Sequence, residues 1–166
     1  MRVRLLPELK IILQISAISM FAIFLGLSFY NWLKWRELHS APSSCEAVIN
    51  VHKDRQQLSI RLKYAFLEEE GSATLSGILL NDGEAAAQVS RQIFFNYKHV
   101  NEGVYLENQK TAISQQDTAG YDGLRKLLPA FYMKSGERTS FLIYPQKPGG
   151  YVFVKDFIPA FYCAKQ

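Results

Sequence analysis

The two cysteines are the residues with the most distinctive chemistry in this 166-residue chain. Cys45 and Cys163 lie 118 positions apart with no cysteine between them, so they form no local metal-binding or redox motif. In an oxidising compartment we expect them to pair as a disulfide that joins the two ends of one domain. Two alternatives remain open: two free buried thiols, or one cysteine held for a partner protein.

The remaining polar residues show no pattern typical of a catalytic or metal site. His39, His52 and His99 are scattered, and the three glutamates at 68–70 are typical of a solvated turn. A nucleophile pair made from Cys163 and a histidine has no local support, and no glycine-rich phosphate loop follows a strand. We therefore expect a protein that is not an enzyme and binds no cofactor or metal.

Arg91 is the charged residue that the strand pattern directs into the apolar interior. If Val89, Ile93 and Phe95 face the core, alternation puts Arg91 on the same side. A buried guanidinium needs a carboxylate or several carbonyls, from its own domain or from a partner. The alternative is a strand end where the stem packs on apolar surface and the head reaches water.

The distribution of charge argues against direct nucleic-acid binding. The chain carries a net charge of +4, but after residue 40 there are 14 Lys and Arg against 13 Asp and Glu. A nucleic-acid surface needs a basic patch on the folded domain. Most of the excess positive charge lies instead around an apolar segment near the amino terminus.

That apolar segment, residues 11–33, contains no charged side chain. At about 1.5 Å per residue a helix of this length spans about 35 Å, enough to cross a hydrocarbon core of about 30 Å. A cleaved secretory signal has a shorter apolar core, of about 7 to 15 residues. We predict a cytoplasmic tail at 1–10, a transmembrane helix at 11–33 and a stalk at 34–44.

The flanking charges predict the orientation of this helix. Arg2, Arg4 and Lys10 precede the helix against one acid, Glu8, which favours a cytoplasmic amino terminus. The expected protein crosses the bacterial inner membrane once and places residues 45–166 in the periplasm.

Three small residues lie on one face of the predicted membrane helix. Ser19, Ala22 and Gly26 form a ridge that would admit a neighbouring helix. The alternative is the ordinary small-residue content of membrane helices.

Alternating polar and apolar residues predict a periplasmic domain made mainly of antiparallel strands. The Asp82-Gly83 pair predicts a hairpin turn. One short helix, limited to two or three turns by Pro129, is expected from the spacing of its apolar residues, with Asp117 or Asp122 as its cap. The predicted class is α+β, a curved sheet or incomplete barrel with one short helix. The predicted strands are 47–51, 58–66, 72–80, 88–98, 104–109, 139–144 and 151–155, and the apolar helix positions are Leu124, Leu127, Leu128 and Phe131.

Aromatic side chains on these strands suggest a second kind of site. Phe95, Tyr97, Tyr151 and Phe153 would line an apolar ligand cavity if a barrel closed loosely. The alternative is that they form an ordinary core.

Three stretches of the domain resemble the FidL-like membrane proteins of enteric bacteria. They read LSGI at 75–78, VSRQIFFNY at 89–97 and IPAFYC at 158–163. The basic amino terminus, the single membrane helix and the cysteines at both ends of the domain are similar in kind. The resemblance extends over residues 71–163 and contains no catalytic signature.

This resemblance implies a regulatory role. FidL-like proteins are similar in topology to the ToxS-type accessory proteins and to the PsaF and MyfF fimbrial regulators. By implication, the periplasmic domain binds and stabilises or modulates a ToxR-like or CadC-like membrane-bound regulator with a winged-helix domain, encoded nearby. Some related pairs take up bile-like amphiphiles, so ligand sensing is a further expectation. The alternative is a free-standing periplasmic module for a small apolar or amphiphilic ligand.

Overall fold

The chain contains two structural units. A computed structural model describes residues 7–38, 43–147 and 149–166. One unit lies within residues 1–40 and the other within residues 41–166. Most of the predicted tail and residues 39–42 of the predicted stalk lie outside the described residues.

The first unit is one long helix, α1, over Pro7–Leu38. It extends beyond both ends of the predicted span, because most of the residues that flank the span are themselves good helix formers. Gln14–Leu33 is long and apolar enough to cross a membrane, and its side chains are exposed. The helix is thus compatible with a membrane anchor or with a signal sequence.

The second unit is a closed antiparallel barrel of eight strands in chain order. The seven predicted strands are present, and the mainly antiparallel architecture with one short helix is confirmed. Of the two predicted alternatives the curved sheet is wrong, because an eighth strand, which the sequence did not predict, closes the sheet into a barrel. The strands are β1 Ser44–Lys53, β2 Gln56–Leu67, β3 Glu70–Asn81, β4 Glu84–Val100, β5 Gly103–Ile113, β6 Arg138–Gln146, β7 Gly150–Lys155 and β8 Ile158–Lys165.

The barrel interior is filled by the apolar face of each strand. In β2, Leu58, Ile60 and Leu62 are buried while Arg61 and Lys63, which alternate with them, are exposed. Rings from β2, β4, β7 and β8 stack or meet edge to face at the centre of the core. The interior is therefore a packed core along most of its length.

The β3–β4 turn has the conformation that its sequence predicted. Asp82 and Gly83 both have positive φ, at 50° and 86°, as a two-residue hairpin turn requires. This turn lies at the same end of the barrel as the β1–β2 and β7–β8 turns, because successive strands run antiparallel.

Residues 114–137, which we call the cap segment, connect β5 to β6 at that same end. The predicted two- or three-turn helix is wrong in length, because α2 covers Tyr121–Leu124 and a separate 3₁₀ turn covers Ala130–Tyr132. Pro129 separates the two, since it cannot continue a helix. The α2 N-cap is Gly120, so neither predicted aspartate caps the helix. All four predicted apolar positions are nevertheless buried in the core: Leu124, Leu127, Leu128 and Phe131.

The predicted disulfide is confirmed, and it joins the first and last strands of the barrel. Cys45 of β1 and Cys163 of β8 are bonded, with their Cα atoms 5.4 Å apart. Both residues are fully buried. The bond thus spans the junction at which the barrel closes.

Removing this disulfide should destabilise the barrel strongly. A cross-link with a sequence separation of 118 contributes about 4 to 5 kcal/mol on the chain-entropy model, so Cys45→Ala/Cys163→Ala should lower the free energy of unfolding by about that amount. Urea denaturation of the full chain in detergent measures the change. The unsubstituted chain with reductant should behave like the double variant, and an unchanged midpoint in the variant would contradict the prediction.

Candidate functional site

The barrel closes over a much shorter ladder than any other pair of strands makes. β1 pairs with β8 at two positions, Cys45 with Lys165 and Glu46 with Ala164. β1 and β2, in contrast, pair over ten positions without a register shift. Residues 47–53 of β1 and 158–163 of β8 therefore lack ladder partners on their facing sides among the described residues. We call this gap the seam.

The backbone of β1 directs hydrogen-bonding groups into the seam at alternate residues. The N–H of Phe66 in β2 donates to the carbonyl of Ser43 at 3.0 Å. Along an antiparallel strand, the backbone N–H and C=O groups of successive residues point alternately toward one neighbouring strand and toward the other. The groups of Ala47, Ile49 and Val51 therefore point toward β2, as those of Ser43 do. The residues between them, Val48, Asn50 and His52, direct theirs toward the seam. A row of this kind is a template for pairing with another chain.

Exposed apolar side chains lie along both edges of the seam. Val48 of β1 is 67% exposed and Ile158 of β8 is 69% exposed. Pro159 and Ala160 are exposed as well, and Tyr162 is about half exposed. An apolar patch along an unpaired strand edge is typical of an interaction surface.

The β7–β8 turn adds a strained and exposed aromatic residue at the open end of the seam. Asp156 and Phe157 both have positive φ, at 51° and 65°, and Phe157 is 92% exposed. At the corresponding position of the β3–β4 turn stands Gly83, which adopts this conformation without strain. Because Phe157 gains no burial within the domain, neither packing nor backbone preference explains an aromatic residue here.

An apolar cavity of about 140 Å³ lies on the inner side of the seam. Ile49, Val51 and Phe161 line it from the seam strands, and Leu128 lines it from the cap segment. Lys155 is the one charged residue in its lining. Its ammonium lies 3.4 Å from the Thr139 hydroxyl and forms no ion pair with a described residue.

Two buried tyrosines meet beside this cavity. The hydroxyls of Tyr64 in β2 and Tyr132 in the cap segment are 2.6 Å apart and share a hydrogen bond. Burial raises the pKa of Tyr132 to about 12 and raises the pKa of Tyr64 well above its ordinary value. Both hydroxyls are therefore neutral in the folded domain at physiological pH, and their bond links the cap to the barrel wall.

The stability of the domain should consequently fall at alkaline pH. The ordinary tyrosine pKa is 10.0 and the folded value for Tyr132 is about 12, so its stabilising contribution is complete below pH 10 and is lost as the pH rises toward 12. Urea denaturation between pH 9 and pH 12 measures this loss. Tyr132→Phe removes the ionising group and should lose less stability over that interval, whereas an identical loss would contradict the assignment.

Arg91 lies inside the barrel and is paired within its own domain. Its guanidinium donates to both carboxylate oxygens of Asp117, at 2.9 and 2.8 Å, and the Arg91 and Asp117 side chains are 4% and 1% exposed. The backbone N–H groups of Ser90 and Ala119 also donate to that carboxylate. The structure does not place Arg91 at a strand end with its head in water. The pair secures the start of the cap segment.

Breaking this buried pair should be costly. Asp117→Asn leaves a buried guanidinium without its carboxylate and should lower the free energy of unfolding by about 3 to 5 kcal/mol. The exposed pair of Arg138 and Glu107 is the matched control, because Glu107→Gln should change stability by less than about 1 kcal/mol. Urea denaturation of both variants measures the difference, and equal losses would refute a structural role for the buried pair.

The structure distributes the other sequence-predicted site residues over several places. Phe95 and Phe153 are fully buried in the core, and Tyr97 and Tyr151 pack half-buried against it. None of these four lines the 140 Å³ cavity, which lies nearer the seam and the cap segment.

The small residues of α1 are exposed along the helix. Ser19, Ala22 and Gly26 lie on its surface, where the Ser19 hydroxyl donates to the Ser16 carbonyl at 2.9 Å. A Cβ atom at Gly26 would meet nothing within 4 Å. Of the histidines, His39 lies outside the described residues. Within the described ranges no three His, Cys, Asp or Glu side chains group as metal ligands.

Sequence reasoning missed the seam because it depends on which strands become neighbours. One local signal was present: the run Phe-Ile-Pro-Ala at 157–160 is apolar but does not alternate. Such a run is ambiguous between core and surface until its neighbours are known.

Together these features define a class of protein: a capped, eight-stranded up-and-down barrel, closed by a disulfide and preceded by one apolar helix. Residues 42–163 match the family model described as the YqeJ C-terminal domain, and the chain belongs to this family. Neither the curated proteins nor the solved structures include a match to the chain.

Proposed function

We propose that this protein is a single-pass inner-membrane accessory protein whose periplasmic barrel binds a membrane-bound transcription regulator of the ToxR-like or CadC-like kind and stabilises or modulates it. The observation that carries the proposal is the seam, an unpaired strand edge flanked by exposed apolar residues. Barrels ordinarily have no free edge, so an edge left open in one is suited to binding another chain.

The surface chemistry supports a protein partner over a nucleic acid. The region after residue 40 has a net charge of +1, and the seam is flanked by the apolar residues Val48, Ile158 and Phe157. Apolar and aromatic groups that are exposed in the free protein become the energetic centre of protein interfaces. The resemblance of 71–163 to FidL-like proteins supports a regulator as the partner.

The orientation is part of this proposal. The basic residues ahead of α1 favour a cytoplasmic amino terminus and a periplasmic barrel. In that arrangement the regulator's winged-helix domain would contact DNA in the cytoplasm, while the two exported domains meet on the other side of the membrane.

Co-purification of the full chain with the membrane-bound winged-helix regulator encoded beside it tests the proposal. Phe157→Gly should weaken capture of the regulator by roughly tenfold, since truncating an exposed aromatic residue that becomes buried in an interface commonly costs that much. The same variant should not lose thermal stability, because glycine suits the left-handed turn. Leu67→Gly, at an exposed apolar residue outside the seam, is the control. Failure of the unsubstituted chain to capture the regulator would overturn the proposed function.

The cavity behind the seam favours a second candidate function, binding of a small anionic amphiphile. Its lining is apolar apart from a few groups, and Lys155 supplies a cation without an acidic partner among the described residues. A cavity of about 150 Å³ holds benzene, so a volume of 140 Å³ suits a short acyl chain and is too small for a steroid ring system. A medium-chain fatty acid therefore fits better than a bile acid.

Equilibrium dialysis of octanoate against the full chain in lipid nanodiscs tests this second function, with empty nanodiscs as the blank. Octanoate should bind more tightly than octanol and than deoxycholate. Lys155→Met should abolish the preference for octanoate over octanol, because the cation that recognises the carboxylate is gone. Equal uptake by protein-containing and empty nanodiscs would eliminate this candidate.

A further inference from the structure

We infer that β1, and not β8, is the edge that receives the partner, and that it does so by pairing antiparallel with one extended segment of the partner chain. The inference rests on the proposed function and specifies where and how the regulator docks. It follows from a difference between the two edges of the seam.

The β8 edge is poorly suited to accept a strand. Lys155 and Ile158 flank the two-residue turn and pair with each other, so they exchange hydrogen bonds across the β7–β8 ladder. The next residue, Pro159, therefore faces the seam, where it has no N–H to donate. A bulge follows, because Phe153 pairs with Phe161 while Val154 pairs with Pro159. Proline and bulges are the devices that protect strand edges from pairing.

The β1 edge has neither protection. β1 contains no proline, and it pairs with β2 over all ten residues without a register shift. Its seam-facing residues, Val48, Asn50 and His52, thus offer three evenly spaced donors and three acceptors. Val48, one of the three outward side chains of this edge, is apolar and exposed.

Strand direction also selects one edge. β1 and β8 run antiparallel to each other, so any strand placed between them is antiparallel to one and parallel to the other. Antiparallel ladders are slightly more stable per residue than parallel ones. A segment that pairs antiparallel with β1 therefore uses the intact edge in the better geometry and leaves the interrupted β8 edge unpaired.

The side chains of β1 define the segment that fits. Ile49 and Val51 face inward and are half-buried where they line the cavity. A strand paired with β1 would place its own inward side chains beside them, over the cavity. The matching segment is thus extended, lacks proline, and carries apolar residues at alternate positions over about five residues.

Proline substitution on β1 and proline removal on β8 test the inference with the same regulator. Asn50→Pro removes a seam-facing donor but leaves the β1–β2 hydrogen bonds, and it should weaken capture by roughly tenfold or more. Pro159→Ala restores a seam-facing donor on the opposing edge and should leave capture unchanged. Asn50→Ala removes the asparagine side chain but keeps the backbone N–H. An equal loss of capture with alanine would therefore overturn strand pairing.

Hydrogen exchange gives a second readout that does not depend on a variant folding. In the complex of the full chain with the regulator, the seam-facing amides of Val48, Asn50 and His52 should be protected relative to the free chain, and the seam-facing amide of Tyr162 in β8 should not. Protection of the Tyr162 amide instead, or stronger capture by Pro159→Ala, would overturn the inference while the proposed function stands. If the free chain forms a dimer and Asn50→Pro abolishes that dimer, a second copy of the chain occupies the β1 edge. That result would also overturn the inference. If the unsubstituted chain captures no regulator, the proposed function itself fails.

Discussion

The closure of the barrel is the constraint on which the rest of the structure depends. An eight-stranded sheet must bring its first and last strands together, and here it does so with two ladder positions and one disulfide, Cys45 to Cys163. The covalent bond holds the strands where the hydrogen-bonded ladder is short. Because closure is concentrated at that end, β1 and β8 remain unpaired over the rest of their facing edges, and the barrel keeps an open edge that a fully paired one would lack.

The cap segment complements this incomplete closure. It covers the end of the barrel at which the seam is open, and it is held there by the Arg91–Asp117 pair and by the hydroxyl bond between Tyr64 and Tyr132. These polar contacts are buried and specific, so the cap has one defined position over the apolar interior. The cavity lies between the cap segment and the seam and is lined by residues of both.

The alternation of polar and apolar residues predicted most strands of the barrel, but it did not predict the seam. Strands such as β2 could be predicted because every second residue is apolar, and the hairpin at Asp82-Gly83 because those residues tolerate positive φ. The cap helix was predicted too long, since apolar spacing continues across Pro129 while the backbone does not. β8 was missed because Pro159 and the bulge beside it interrupt the alternation that marks a strand.

Local pattern was sufficient for the apolar helix and the alternating strands, because these depend on neighbouring residues. For Arg91 and for the two cysteines the sequence left alternatives open, and the structure decided between them. The closed barrel, the identity of Asp117 as the partner of Arg91, and the seam depended on contacts between distant parts of the chain. A strand is an edge strand when no neighbour pairs with one of its sides. Which strands become neighbours is decided only when the sheet assembles, so the sequence of a single strand does not reveal an edge.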